Sequence, residues 1–477
     1  MNEISTFAEM ILVVAAGFSL ALFGRTVIER IAIPSAALFL VAAAVSSDIS
    51  PRLGNAISFV TVERIAVVAL IVILFDGGMH IGWRRFRDSM VPILSLGVLG
   101  TFATAGLIAV AAHYLLDFSW ITSGLLGAAL APTDPAVTFS VLGGREIRGR
   151  TGTILQGESG ANDPAGIALM IGMIELATSD DGTFWTVIEE FAIEMLGGAV
   201  VGIAGAAALL PLMRRVSLPE PALYPLRVLA AAGVIYGAAT AIHGSGFLAV
   251  FVAGILIGDA AAPHKGEIEG FMGSLSSIAE IVVLAALGLT VSLGSIVEND
   301  IWIDGLVLAF LLAFVIRPLV VGALLVPVRL SRGERLFVMW SGLKGAVPIL
   351  LAALAVIGGV DDAATIYGIV FVVVLFSVVV QGSLVPTVAS RLRVPIRVVE
   401  HETKAVRPFR VGAGSFADGK AVRELPLAER AWISAIVRDG RPQPVDGGTV
   451  LTKDDEVHVL CREADAPVLQ RIFSGRG

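Results

Sequence analysis

The chain has 477 residues, 56% of them hydrophobic and only 16% charged, with a mean hydropathy of +0.85. A soluble globular protein carries about 25% charged residues, so this chain cannot cover a water-facing surface and needs lipid as its solvent over most of its length. The net charge of −7 points to no partner class, and the single cysteine, Cys461, excludes an intrachain disulfide framework.

The 52 glycines suit close helix packing in a membrane. No cleavable signal is evident, because residues 1–9 are polar to acidic and residues 10–23 read as a first span. A window of about 19 residues, matched to a hydrocarbon core of about 30 Å, predicts thirteen spans. They lie near residues 6–24, 33–47, 62–80, 90–114, 119–142, 154–177, 186–211, 224–242, 245–259, 271–294, 302–328, 334–357 and 363–388.

The loops test that count. Odd-numbered loops hold Arg25 and Arg30; Arg84, Arg85 and Arg87; Arg145, Arg148 and Arg150; Arg214, Arg215 and Arg227; Lys265; and Arg329, Arg332 and Arg335. Even-numbered loops hold Arg52 and Arg64 and then mainly acids: Asp117, Asp180, Asp181, Glu298, Asp300, Asp361 and Asp362. A wrong span count would scramble this alternation. By the positive-inside rule the N-terminus is outside and the tail is inside.

Charged side chains inside a membrane are costly, and where they occur they mark function. In the fifth span, Thr133 and Asp134 stand between Pro132 and Pro135. Two prolines so close cannot sit in a regular helix, so the span is expected to unwind there and aim freed carbonyls at the membrane interior. The bland alternative is a proline kink with a buried capping Asp. The sixth span opens on Glu158, Ser159, Asn162 and Asp163 before Pro164. Asp163 alone could be a helix N-cap, which leaves the Glu, Ser and Asn unexplained.

Asp76 in the third span and Arg317 in the eleventh are each expensive alone, and are expected to neutralise one another as a structural ion pair. The twelfth span carries Lys344 within a glycine-rich, Pro348-interrupted stretch. Lys344 either supplies a fixed charge near the acidic cluster or snorkels to the interface. The fifth and twelfth spans are thus a matched pair of broken segments, one per half, as in an inverted repeat with a site at the midplane. Glu280 in the tenth span is a further candidate, whereas His80 and His243, near span ends, are expected to satisfy local hydrogen bonds.

From about residue 391 charges become frequent and no segment could span. Residues 409–416 are strand-like, residues 420–429 suggest a short helix, 432–437 and 456–461 suggest strands with a turn at Asp439-Gly440, and 464–473 form an amphipathic helix. The expected architecture is therefore an all-α polytopic membrane domain over 1–390 and a small α+β domain over 391–477.

Burial disfavours the charged form of a carboxylate, so a buried one can exchange a proton near neutral pH. With Thr and Ser hydroxyls and backbone carbonyls it also makes an all-oxygen site for a hard monovalent cation. Competition of cation and proton for one such site, with alternating access, gives antiport. The single Asp at the Asn162-Asp163 step favours one-for-one, electroneutral exchange.

Thr133-Asp134-Pro135, Gly157-Glu158-Ser159 with Asn162-Asp163, Leu74-Phe75-Asp76-Gly77-Gly78, Arg317-Pro318 and Gly342-Leu343-Lys344-Gly345-Ala346-Val347-Pro348 together resemble the NhaP branch of the monovalent cation:proton antiporters. The likeness runs over about 5–390 and is strongest to bacterial potassium/proton antiporters carrying a TrkA-C (RCK-C) domain. Gly419-Lys420, Glu424-Leu425, residues 436–440 and Asp454-Asp455-Glu456-Val457 resemble TrkA-C landmarks.

The resemblance implies a bacterial inner-membrane homodimer with a core moving against a dimerisation domain. It implies Asp163 as cation and proton carrier, Glu158, Ser159 and Thr133 as cation ligands, and Asn162 and Asp134 as braces where the broken helices cross. In two respects the chain departs from the pattern. Lys344 stands where relatives often have Arg, which puts the role of that charge in doubt. A Rossmann half is missing before the TrkA-C-like module, and Gly412 and Gly414 make no dinucleotide fingerprint. No cofactor is expected beyond the transported ion; a small regulatory ligand of the tail, such as a nucleotide, is one expectation for that module.

Sodium is the alternative substrate, since ligand types do not separate it from potassium. An RCK-gated potassium channel is disfavoured by the lack of a filter sequence and by the intramembrane carboxylates. A membrane enzyme is disfavoured because no nucleophile–base set, metal cluster or phosphate loop stands out, and residues 157–160 lack the context of a nucleophile elbow. Nothing suggests nucleic-acid binding.

Overall fold

A computed structural model describes residues 35–50, 57–142, 145–147, 149–179, 184–398, 405–427, 431–438, 440–461 and 465–475. The first expected span, 6–24, and the loop residues Arg25, Arg30, Arg52, Arg148, Asp180 and Asp181 lie outside them. The chain divides into a unit ending at Arg397 and a second beginning at Val398, seven residues beyond the expected boundary.

The first unit is helical. In chain order its helices are α1 (Ser35–Ile49), α2 (Phe59–Leu94), α3 (Thr101–Leu116), α4 (Trp120–Leu130), α5 (Pro135–Val141), α6 (Arg150–Thr178), α7 (Phe184–Arg215), α8 (Leu223–Ala241) and α9 (Gly246–Gly258). They continue with α10 (Lys265–Leu289), α11 (Leu293–Glu298), α12 (Ile301–Leu311), α13 (Arg317–Leu324), α14 (Arg332–Trp340), α15 (Ala346–Ile357), α16 (Ala363–Phe376) and α17 (Gly382–Arg391).

These helices fall on the apolar segments read from the sequence, but many are interrupted. Among the described residues five uninterrupted or nearly uninterrupted stretches are long and apolar enough to cross a membrane alone: Val187–Arg215, Leu223–Ala241, Lys265–Leu289, Ile301–Leu324 and Ala363–Arg391. Shorter apolar helices include Trp120–Leu130 and Gly246–Gly258. The fifth segment is split into α4 and α5, and the twelfth into α14 and α15.

Helix α2 turns sharply at Gly82 (φ 69°, ψ 158°), a left-handed conformation that only glycine adopts cheaply. The Asp259 carboxylate, past the end of α9, accepts a 2.6 Å hydrogen bond from the Arg84 backbone N–H and so caps the helix that restarts there. Upstream, α2 packs on α9 through small residues: Gly78 lies against the backbone of Phe251 and Ile255, and Gly254 against Phe75. Two G-x-x-x-G rows thus face one another, the spacing that lets helix backbones approach closely in lipid.

Three π-helical segments interrupt the bundle: Ser95–Gly100, Leu312–Ile316 and Ser377–Gln381. Such segments widen a helix by one residue per turn and gather at functional sites. The second leads directly into Arg317, and the third contains two polar side chains used below.

The second unit is a four-stranded antiparallel sheet with one helix: β1 (Ala405–Arg410), β2 (Trp432–Arg438), β3 (Arg441–Gln443), β4 (Glu456–Cys461) and α18 (Ala466–Ser474), in the order β1-β4-β2-β3. Arg438 pairs with Arg441; Asp439 of the turn expected there lies outside the described residues. Phe409, Ile436, Val457, Val459, Leu469 and Phe473 form its core. Two expectations are corrected. The first strand lies at 405–410, and residues 411–416 turn away from it. In place of a helix at 420–429 there is a single 3₁₀ turn at Val422–Glu424, because Pro426 disfavours helical backbone at Leu425 and cannot donate an N–H.

Candidate ion site

Polar residues of three elements converge in the interior of the first unit. The break between α4 and α5, around residues 131–134, lies against the break before α15, around 341–345. The Asp134 N–H donates to the Leu343 carbonyl at 2.8 Å, so each break takes up a backbone group the other leaves unpaired. A buried unpaired carbonyl or N–H would cost several kcal/mol in lipid.

Charge completes the arrangement. Lys344, 1% exposed, donates from Nζ to the carbonyls of Ala131 (3.0 Å) and Pro132 (2.8 Å). These are the carbonyls at the C-terminal end of α4, where the helix dipole is negative. The Asp134 carboxylate occupies the space beside Gly345, at the N-terminal end of α15, where the dipole is positive. Lys344 is therefore a fixed charge in the cluster rather than a snorkelling one.

Helix α6 runs past this crossing without a stop from Arg150 to Thr178, straight through Pro164, so Asp163 is not an N-cap. Asn162 grips the unwound segment twice: its Oδ1 accepts from the Thr133 N–H at 3.3 Å and its Nδ2 donates to Thr133 Oγ1 at 2.8 Å. One turn earlier, Ser159 Oγ donates to the Thr133 carbonyl at 2.6 Å. Asp163, 5% exposed, lies beside Ser159 and within electrostatic reach of Asp134 and Lys344. Its Oδ1 is buried with no hydrogen-bond partner among the described residues. A buried oxygen left open, amid a hydroxyl and backbone carbonyls, is a place for a proton or a hard cation.

The expected pair of Asp76 and Arg317 does not form. Arg317 makes a two-pronged ion pair with Glu158, Nη1 to Oε1 at 2.8 Å and Nη2 to Oε2 at 3.1 Å, and also donates to the Val338 carbonyl at 3.3 Å. Asp76 lies 3.2 Å from His80 on its own helix, and His80 Nδ1 also meets the Asp76 carbonyl at 3.0 Å, the local bonding expected of that histidine. Which distant acid a buried arginine meets depends on tertiary packing, which hydropathy does not encode. Glu158, expected as a cation ligand, has both carboxylate oxygens engaged by Arg317.

Glu280 on α10 has one buried oxygen without a partner among the described residues and feels the charge of Asp134. Two residues that the sequence reading passed over also belong here. Ser377 accepts from the Lys344 backbone N–H at 2.9 Å and donates to Gln381 Oε1 at 3.2 Å. Gln381 donates to the Trp340 carbonyl at 2.6 Å. Both are polar residues within an apolar span, the same signal that marked Asp76 and Arg317. No group of His, Cys, Asp and Glu suited to a multivalent metal occurs among the described residues.

Residues 7–391 match the sodium/hydrogen exchanger transmembrane family, and residues 406–474 match the TrkA-C domain. The chain belongs to the sodium/hydrogen exchanger family. It is thus a membrane transporter, not an enzyme, with a TrkA-C domain on its tail. The K(+)/H(+) antiporter NhaP of Alkalimonas amylolytica is 30% identical over 97% of this chain and 83% of its own length. NhaP2 of Shewanella sp. (strain MR-4), also a K(+)/H(+) antiporter, is 29% identical over 94% and 80%. The Na(+)/H(+) antiporter NhaH of Halobacillus aidingensis is 26% identical over 75% and 91%. The fold of the family member is shared with the sodium proton antiporter MjNhaP1 from Methanocaldococcus jannaschii, with a TM-score of 0.68, 22% identity, and coverage of 82% of this chain and 99% of that one.

Proposed function

We propose that this transporter exchanges a monovalent cation, potassium by preference, for protons across a bacterial inner membrane, and that the two ions compete for Asp163. The observation that carries this reading is the buried, unpartnered Asp163 Oδ1 beside Ser159. Thr133, Ser159 and the carbonyls of the unwound segment complete the oxygen site; Asn162 and Asp134 hold the crossing in shape.

Charge counting supports one-for-one exchange. Counted over Asp134, Glu158, Asp163, Arg317 and Lys344, the crossing has three acids and two bases, with Arg317 paired to Glu158 and Lys344 shared between the remaining acids, which leaves one uncompensated negative charge. One proton or one monovalent cation neutralises it. Glu158 then acts as a positioning residue in the state described and becomes a ligand only if Arg317 releases it.

The same reading takes the membrane unit as thirteen spans in inverted repeats, with the N-terminus outside and the TrkA-C domain inside, assembled as a homodimer. A small regulatory ligand, such as a nucleotide, is proposed for that domain. Potassium is favoured by the names of the two relatives that align over nearly the whole chain. Sodium is the second reading, favoured by the name of NhaH.

The test is proton movement in proteoliposomes driven by potassium, sodium or lithium gradients, with the membrane potential clamped or free. Exchange indifferent to the potential, with the largest response to potassium, supports the proposal. A larger response to sodium favours the second reading, and potential-driven cation flux without proton countermovement rejects both.

A further inference from the structure

The turn of α2 at Gly82 starts a second helical run that continues through the π segment and α3 to Leu116. At 1.5 Å per residue this run is about 50 Å long, well beyond a hydrocarbon core of about 30 Å. Its first turn carries Arg84, Arg85 and Arg87, all exposed, and guanidinium groups do not rest in hydrocarbon. That turn therefore lies at the level of the lipid headgroups.

Arg84, Arg85 and Arg87 make no ion pair among the described residues, although Asp88 follows on the same helix. The neighbouring Asp259 carboxylate is bound to the Arg84 backbone N–H. Beside the arginines, Trp83 and Phe86 stack with ring centroids 6.1 Å apart, and Trp83 is 41% exposed. From Trp83 an exposed apolar stripe follows at helical spacing through Met90, Val91 and Leu94. Two guanidinium groups on one helix face, Arg84 and Arg87, unpaired among the described residues, an aromatic pair and an apolar track thus succeed one another along one helix, with Arg85 turned to the other side.

We propose that this stretch, Trp83 to Leu94, is a binding site for an anionic phospholipid. Its phosphate is held by Arg84 and Arg87, which lie one turn apart on the same face and whose planar forks match phosphate oxygens. Its glycerol region lies against Trp83 and Phe86, and one acyl chain follows Met90, Val91 and Leu94. The proposal is independent of which cation is carried and of which side of the membrane this end faces.

The experiment uses the full chain purified in detergent. Phosphatidylglycerol with a photoreactive acyl chain is crosslinked, and the labelled peptides are mapped by mass spectrometry. Label on residues 83–94 is expected, competed by unlabelled phosphatidylglycerol about twenty-fivefold better than by phosphatidylcholine, roughly fivefold for each of Arg84 and Arg87. R84Q/R87Q abolishes that preference, and R84K/R87K retains most of it. Label confined to other segments in the wild-type chain overturns the proposal, as does an undiminished preference in the glutamine variant. Competition by free glycerol phosphate as strong as by the lipid means a phosphate site without a lipid track. Disulfide-linked dimers of M90C would place a second copy on the stripe and likewise overturn the assignment.

Discussion

Arg317 holds Glu158 through two hydrogen bonds of 2.8 and 3.1 Å between side chains only 6% and 3% exposed. The pair ties α13 to α6 at the depth where α6 carries Asp163. Removing one partner leaves the other charge buried and alone, at a cost of about 3–5 kcal/mol. R317M and E158Q are each expected to lower the thermal unfolding temperature of the detergent-purified protein markedly. The double variant R317M/E158Q should recover much of that loss. Losses that simply add in the double variant would show that the two side chains do not act as a pair.

The same geometry replaces an expectation drawn from sequence. Reversing both Asp76 and Arg317 should rescue nothing, because the two do not meet. Reversing Glu158 and Arg317 together should restore part of the stability lost by either reversal alone, and thermal unfolding of the four variants decides the matter.

Lys344 satisfies the carbonyls of Ala131 and Pro132. Hydrogen bonds to a charged donor are worth about 1.5–3 kcal/mol each. K344A is expected to cost at least about 3 kcal/mol and to abolish exchange by loosening the crossing, whereas K344R should keep a folded, partly active carrier. Unfolding curves and proteoliposome exchange measured together check both halves.

At Gly345 an added methyl would fall on the Asp134 carboxylate. G345A is expected to push the two breaks apart and to reduce exchange at least about tenfold, with the transporter still inserted in membranes. The conservative size of the change makes it a direct probe of how tightly the crossing is packed; exchange at the wild-type rate would show that the breaks do not need to touch.

In the TrkA-C domain Asp455 is 1% exposed. Burial pushes its carboxyl up, but Arg438, at 2.7 Å from both oxygens, and the Thr452 N–H at 2.7 Å outweigh that and hold it below the ordinary carboxylate range. A depressed folded value means that the stabilisation is present above the ordinary carboxylate range and is lost as pH falls through the folded value. D455N should therefore weaken the domain by about 1–2 kcal/mol near neutral pH and remove part of its acid sensitivity. Hydrogen exchange of β2 and β4 amides in the full chain at pH 7 and at pH 4 reads both effects.

The sequence carried the location of the site because its signals are local. Prolines 132 and 135 mark one break and the glycines around Lys344 mark the other, and polar residues at membrane depth are conspicuous against apolar neighbours. Pairing was not legible in the same way. Arg317 had two buried acids within reach of argument, Asp76 and Glu158, and hydropathy does not say which helix faces which. Ser377 and Gln381 were overlooked because a hydroxyl and an amide lower the hydropathy of a span far less than a charge does. The π segments left no trace in the apolar pattern, since one extra residue in a turn shifts the helical phase without changing composition. In the tail, strand alternation marked β2 and β4 well, whereas Pro426 ruled out the helix that the charges around it suggested.

In the proposed exchange Asp163 alone carries the ion. Its most direct test is potassium-driven proton exchange by D163N in proteoliposomes, set beside the wild-type chain and with thermal unfolding as the control for folding. A folded protein with exchange at least about a hundredfold below wild type is expected, since an amide offers neither a titrating proton nor a negative charge to a cation. Exchange by folded D163N within a few fold of the wild-type rate would contradict it and move the carrier to another carboxylate of the cluster, Glu158 or Glu280.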